Sequence, residues 1–121
     1  MRRELLYLQD IIEAADAIRR FLREVSEADF LQSDLIQSAV LQKLMIIGEA
    51  SARVSDETKI RHSEIPWKQI TGFRNIAVHA YFTIKLETVW ETATTDVPVL
   101  RDQVLKILQD EFPDFELRNK N

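Results

Sequence analysis

Leu5, Leu8, Ile12, Ala15, Ile18 and Leu22 recur at steps of three and four residues. A strand would scatter these six side chains across both of its faces, whereas an α-helix gathers them on one side. Leu6, Ile11, Phe21 and Val25 widen that stripe, and Asp10, Glu13, Asp16, Arg20, Arg23 and Glu24 fill the solvated side. The spacing predicts an amphipathic helix from about Arg3 to Val25.

Ser26 to Gln32 reads as a polar connection, after which Ser33-Asp34 offers an N-cap. The next stripe, Ile36, Val40, Leu44, Ile47, Ser51 and Val54, predicts a helix from about Leu35 to Val54. Gly48 interrupts it at a cost of roughly 1 kcal/mol of helix propensity relative to Ala. A glycine tolerated there marks the close approach of another backbone, and Ala50 and Ala52 suit the same tight packing. Ser55-Asp56-Glu57 is a break followed by a short capped turn. Pro66 pushes Ile65 out of helical backbone and starts a third main helix, from about Trp67 to His79 or Ala80, in which Gly72 introduces irregularity. Tyr81-Phe82-Thr83 connects to a last helical region from about Leu86 to Glu111, where Asp96 and Pro98 predict a kink or a restart. Residues from Phe112 onward are expected to fray. The fold class is therefore all-α, an antiparallel bundle of four to five helices over residues 1–112 with a polar tail over 113–121.

Composition excludes several alternatives. Only 2 Gly and 3 Pro in 121 residues leave too few tight turns for a β-sandwich or barrel. No Cys is present, so disulfides, thiolate metal sites and cysteine nucleophiles are out. The longest fully apolar run is Leu44–Ile47, far short of a membrane span. The charged, amphipathic start lacks the apolar core of a signal peptide, so no membrane association and a cytoplasmic location are expected. The net charge of −4 does not advertise a nucleic-acid partner. Between Arg53 and Lys85, however, Arg53, Lys59, Arg61, Lys68, Arg74 and Lys85 outnumber Asp56, Glu57 and Glu64, and both histidines, His62 and His79, fall in this window.

Phosphate-loop, metalloprotease and serine-hydrolase signatures are absent. Two histidines separated by sixteen residues give no metal-binding spacing, and neither a metal nor a cofactor is expected. The segment Phe73 to Tyr81 stands out instead. On a helix, Asn75 and His79 share one face, Arg74, Val78 and Tyr81 form the adjacent stripe, and Phe73, Ile76, Ala77 and Ala80 turn inward. One edge thus offers a permanent cation, an amide, a group that titrates near neutral pH and a phenol. Such a histidine can equally satisfy a helix end, and Arg74 can simply pair with Glu49.

Arg74, four intervening residues, His79 and then Tyr81 form an R-x(4)-H-x-Y pattern that resembles the HepT-like branch of the HEPN superfamily. Ile47-Gly48-Glu49-Ala50 resembles its I-G-E-A segment, and Ile65-Pro66-Trp67 with Ile70 resembles its I-P-W-x-x-I lead-in. Val89-Trp90 followed by Asp96, Pro98 and Leu100 resembles its V-W…D-x-P-x-L ending. Four collinear blocks make the likeness specific where the short motif alone would not be.

The resemblance implies a homodimeric, metal-independent endoribonuclease with an RNA substrate, the toxin of a toxin-antitoxin pair. It implies a minimal nucleotidyltransferase antitoxin that modifies Tyr81 with AMP. Arg74 and His79 become the candidate catalytic residues, with Asn75 and Glu49 supporting them. The chemistry suits these groups: His79 can act as base or acid, and Arg74 can grip phosphate in a two-pronged way. A two-fold dimer would supply the second histidine that one chain lacks, and Gly48, Ala50 and Ala52 are a candidate region for its close packing. The alternative is a non-catalytic helical binding module that presents nucleotide or substrate to a separate nucleotidyltransferase. A structural dimer holding Arg74 and His79 in a buried polar network is a third reading.

Overall fold

The computed structural model of the chain describes residues 2–80 and 84–116. The described residues contain no strand and form eight α-helical segments: α1 (Arg2–Phe21), α2 (Glu27–Leu31), α3 (Asp34–Arg53), α4 (Asp56–Arg61), α5 (Trp67–Thr71), α6 (Phe73–His79), α7 (Leu86–Glu91) and α8 (Val97–Glu111). A π-helical turn, Thr92–Asp96, joins α7 to α8. The fold is an all-α bundle, as the apolar periodicity predicts.

Helix α3 is the central element. It packs on α1 along one side and on α5 and α6 along another, while α2 lies across its start. Val40, Leu44 and Ile47 are fully buried at its centre. Helix α1 contributes Leu8, Ile11, Ile12 and Ile18, and α8 closes the bundle with Leu100, Val104, Ile107 and Leu108. The long helices begin and end where their side chains dictate. Ser33 accepts a hydrogen bond from the Ile36 amide to start α3, and Ser55 does the same for Thr58 to start α4. Glu24 takes the left-handed backbone (φ 61°) that turns the chain after α1.

The structure departs from the sequence expectations at four places. Ser26 to Gln32 is not a mere connection. Ser26 and Asp29 form a reciprocal capping box around α2, and Phe30 inserts completely into the core with its ring centroid 5.5 Å from that of Trp90. The buried Phe30 carbonyl is satisfied by the Gln37 side-chain amide at 2.9 Å. The third main helix is two helices. Gly72 donates to the Lys68 carbonyl to end α5, and its own carbonyl accepts from the Asn75 and Ile76 amides to start α6.

The helix neither breaks nor restarts at Asp96. That residue has helical backbone and no capping hydrogen bond, and the chain passes Pro98 by opening one turn into the π form, with the Val97 amide reaching back to the Thr92 carbonyl. The wider turn relieves the clash between a proline ring and the carbonyl four residues earlier. Fourth, the chain stays on the bundle past Glu111. Phe112 and Phe115 pack against the core, and the Gln9 side-chain amide donates to the Glu116 carbonyl at 2.8 Å.

Polar ties fix the ends. Glu4 accepts from the Ser55 amide and from the Ser55 and Thr58 hydroxyls, joining the start of α1 to the start of α4. Arg101 pairs with Asp16 at 3.0 Å, so Asp16 is half-buried rather than part of a solvated face. Glu111 receives Arg61 at 2.8 Å and also contacts the His62 ring, which ties α4 to the end of α8. The hydrogen bond from Arg61 holds the Glu111 carboxyl below its ordinary range against the opposing effect of burial, with His62 adding to it. Asp96 is shifted the other way, mainly because it is partly buried and further because Glu91 is close.

These two carboxyls make opposite predictions. The stabilisation from Glu111 is present above its unfolded-state value and is lost as pH falls through its depressed folded value. Thermal melts should therefore show Tm dropping on acidification, and Glu111→Gln should lower Tm at neutral pH while flattening that acid limb. Asp96 prefers to be protonated in the fold, so its ionisation costs stability near neutrality. Asp96→Asn should raise Tm at pH 7, and the gain should shrink as pH falls toward the carboxylate range.

Candidate active site

Helix α6 carries three of the residues singled out by the sequence. It has seven residues, too few to be stable alone, so its geometry is imposed by packing. Phe73, Ala77 and Ala80 are buried against the bundle and Ile76 is partly buried. Asn75, Val78 and His79 are exposed, and Arg74 is half-buried at the edge. The inward and outward faces are those predicted by helical spacing. Tyr81 lies outside the described residues; beyond it, the Ile84 amide returns to the His79 carbonyl at 3.2 Å.

Arg74 leans on α3. Its Nη1 donates to Oε1 of Glu49 at 3.1 Å, the pairing the sequence left open. The two side chains are 40% and 48% exposed, so water and ligands reach the pair. Beneath it lies Gly48, where the close backbone approach expected from the glycine occurs within the chain, against Thr71 and Arg74. Gly48 and Ala50 are buried in the chain's own core, which corrects their assignment to a dimer surface; only Ala52 of that trio is exposed.

Arg74 and His79 are five residues apart on a regular helix, and so leave it about 140° apart around its axis. Asn75 and His79 are separated by only about 40°. No hydrogen bond or ion pair joins Arg74 to His79 among the described residues. The site in one chain is therefore an exposed Asn75–His79 stripe, with a guanidinium held to one side by Glu49.

The other histidine serves the scaffold. His62 caps α4, contacts Glu111, and offers its carbonyl to the Trp67 indole N–H at 3.0 Å. Sequence reasoning missed that cluster because its parts lie some fifty residues apart. Among the described residues, no group of three or more His, Cys, Asp or Glu could hold a metal ion. No described helix is long and apolar enough to cross a membrane.

Known proteins bear on this geometry. A family model described as "Ribonuclease HepT-like" matches residues 11–115, which include all of α6 and the Gly48–Glu49 pair. A protein of Thermococcus cleftensis named "Probable ribonuclease HepT" is 40% identical over 101 residues, spanning 84% of this chain and 92% of its own length. A "Putative RNase" of Caldanaerobacter subterraneus subsp. tengcongensis is 34% identical over 105 residues, spanning 87% of this chain and 94% of that protein. A Methanocaldococcus jannaschii protein named "Gamma-glutamylcyclotransferase and putative RNase" is 33% identical over 111 residues, 91% of this chain but only 50% of the relative. No solved structure matches the chain.

Because the polar edge of α6 is solvated, its side chains should contribute little to folding. Asn75→Ala and His79→Ala should each change unfolding free energy by less than about 0.5 kcal/mol in denaturant titrations. Glu49→Gln should cost no more than about 1 kcal/mol, the range of exposed ion pairs. A loss of several kcal/mol in any of them would mean that the edge is structural.

Proposed function

Because the chain belongs to the HepT-like ribonuclease family, we propose that it is an endoribonuclease that cuts RNA without a metal, using Arg74 and His79 as catalytic residues. The observation that carries this reading is the position of both groups on the exposed side of a helix whose other side is locked in the core.

Cleavage within an RNA chain can proceed by attack of a 2′-hydroxyl on its own phosphate. The hydroxyl loses its proton to a base, the new O–P bond forms, and the bond to the 5′-oxygen breaks as that oxygen gains a proton from an acid. His79 supplies one of these proton transfers, each worth roughly 10²–10⁴-fold. Arg74 binds the non-bridging phosphate oxygens through two parallel N–H groups and stabilises the charge that grows on them. Glu49 holds the guanidinium before substrate arrives. Asn75, on the same stripe as His79, orients the imidazole or the phosphate.

The angular separation of Arg74 and His79 gives a reason for a homodimer. One chain presents the two groups on opposite flanks of the outward face of α6, about 140° apart. A two-fold axis beside that helix brings the Arg74 of one copy toward the His79 of the other and adds the second histidine that acid–base catalysis needs. The same edge suits control by a minimal nucleotidyltransferase antitoxin, the chain itself being the toxin. Transfer of AMP from ATP to the Tyr81 hydroxyl, with release of pyrophosphate, would place bulk and negative charge two residues from His79 and exclude RNA. A cytoplasmic site of action accords with these partners.

The test is RNA cleavage by the purified protein in EDTA. The parent should cut RNA there, His79→Ala should lose about 10²–10⁴-fold in rate, and Arg74→Ala about 10²–10³-fold, with both variants folded. RNA affinity should fall steeply as salt rises, because bound phosphates release counterions. Unchanged cleavage by His79→Ala would overturn the assignment, and loss of parental cleavage in EDTA would overturn metal independence.

A further inference from the structure

A β-carbon placed on Gly48 would lie 2.5 Å from Cγ of Arg74, 2.8 Å from the Arg74 backbone nitrogen and 3.1 Å from the Thr71 carbonyl oxygen. Real β-carbons do not approach other atoms so closely in packed interiors. Gly48 is therefore the residue that lets the start of α6 rest directly on α3, with the Arg74 side-chain stem in the space where any other residue would put its own carbon. The next residue, Glu49, takes the other end of the same side chain. Two consecutive positions of α3 thus meet Arg74 at its root and at its head.

From this geometry we infer that Gly48 is a positioning residue for the Arg74 guanidinium, acting through the stem it accommodates. The inference rests on the catalytic role proposed for Arg74. Ordinary packing would explain a small residue at this crossing. It does not explain why the tightest contact is with the side chain of a surface arginine. Phe73 and Ala77, which fill the core from the same helix, are not among the three nearest atoms that a β-carbon at Gly48 would meet. The added methyl group of Gly48→Ala has two ways out: it rotates the Arg74 stem, or it lifts the first turn of α6 from α3. Either way the guanidinium is displaced from Glu49 and from the phosphate.

A double-mutant cycle tests this, with kcat for RNA cleavage measured in the full-length parent, Gly48→Ala, Arg74→Ala and the double variant, each shown to be folded by thermal melting. Gly48→Ala should lower kcat about 10²-fold, the scale of a misplacement near 1 Å. In the Arg74→Ala background the guanidinium and the clashing Cγ are gone and only the backbone contacts with residue 74 and Thr71 remain, so a change that acts through the Arg74 side chain should lower kcat by less than about threefold. A further loss near 10²-fold in that background would show that Gly48 acts on the fold at large and would overturn the inference. If Gly48→Ala alone does not fold, recovery of folding in the double variant supports the contact with the Arg74 stem. Failure of both to fold overturns it in favour of the backbone contacts. A parent that cleaves no RNA removes the functional reading and the role of Gly48 together, whereas additivity in an active enzyme removes only the role of Gly48.

Discussion

The fold depends on one helix being apolar over about half of its circumference. The buried positions of α3, from Gln37 through Val40, Leu41, Leu44, Ile47, Gly48, Ala50 and Ser51, sweep an arc of roughly 180° at 100° per residue. That is wider than an ordinary surface helix needs to face a single neighbour. It allows α1 to pack on one side and the α5–α6 pair on another, with α2 across the start. Helix α8 then settles its apolar face against α1, and α7 packs against α2. The position of α6, and with it the orientation of the polar edge, follows from that central packing.

Which features could be read from the sequence follows from the range of the forces that make them. Helix α1, helix α3 and the cap of α4 depend on spacing and on caps within three residues, and both are written locally. The inward and outward faces of α6 were legible for the same reason. Phe30 was missed because five residues are too few to show a period, although Ser26 followed three residues later by Asp29 was a signal that could have located α2. The π turn could be anticipated only as a disturbance near Pro98, since widening a turn and breaking a helix are competing answers to one clash. The tie between Arg61, His62 and Glu111 has no local signature, because it joins residues about fifty positions apart. Gly48 was legible as a close approach but not as to its partner. A sequence shows that a backbone must come near, and only the fold shows whether it belongs to the same chain.

Charge needs the same separation of local from global. The net charge of −4 says nothing in favour of RNA, and three of the acids tie helices together. Glu4, Asp16 and Glu111 all serve joints between helices. The proposed phosphate contact depends on the field near Arg74, whose partner in the fold is one exposed carboxylate, Glu49.

The division of labour on α6 explains how a seven-residue helix can hold the proposed site. So short a helix gains nothing from cooperative growth and exists only because Phe73, Ala77 and Ala80 are held in the core. The burial of those three residues fixes the backbone, and the backbone fixes the directions in which Arg74, Asn75 and His79 leave it. Preorganisation of the polar groups is thus supplied by apolar contacts on the opposite face, and the polar groups need make no stabilising contacts of their own. Arg74 is the exception: its long, flexible side chain would otherwise wander through many rotamers, and the neighbouring helix meets it at both ends. The group with the most freedom to lose is the group given the most support, and that pattern is what a site built around a fixed guanidinium requires.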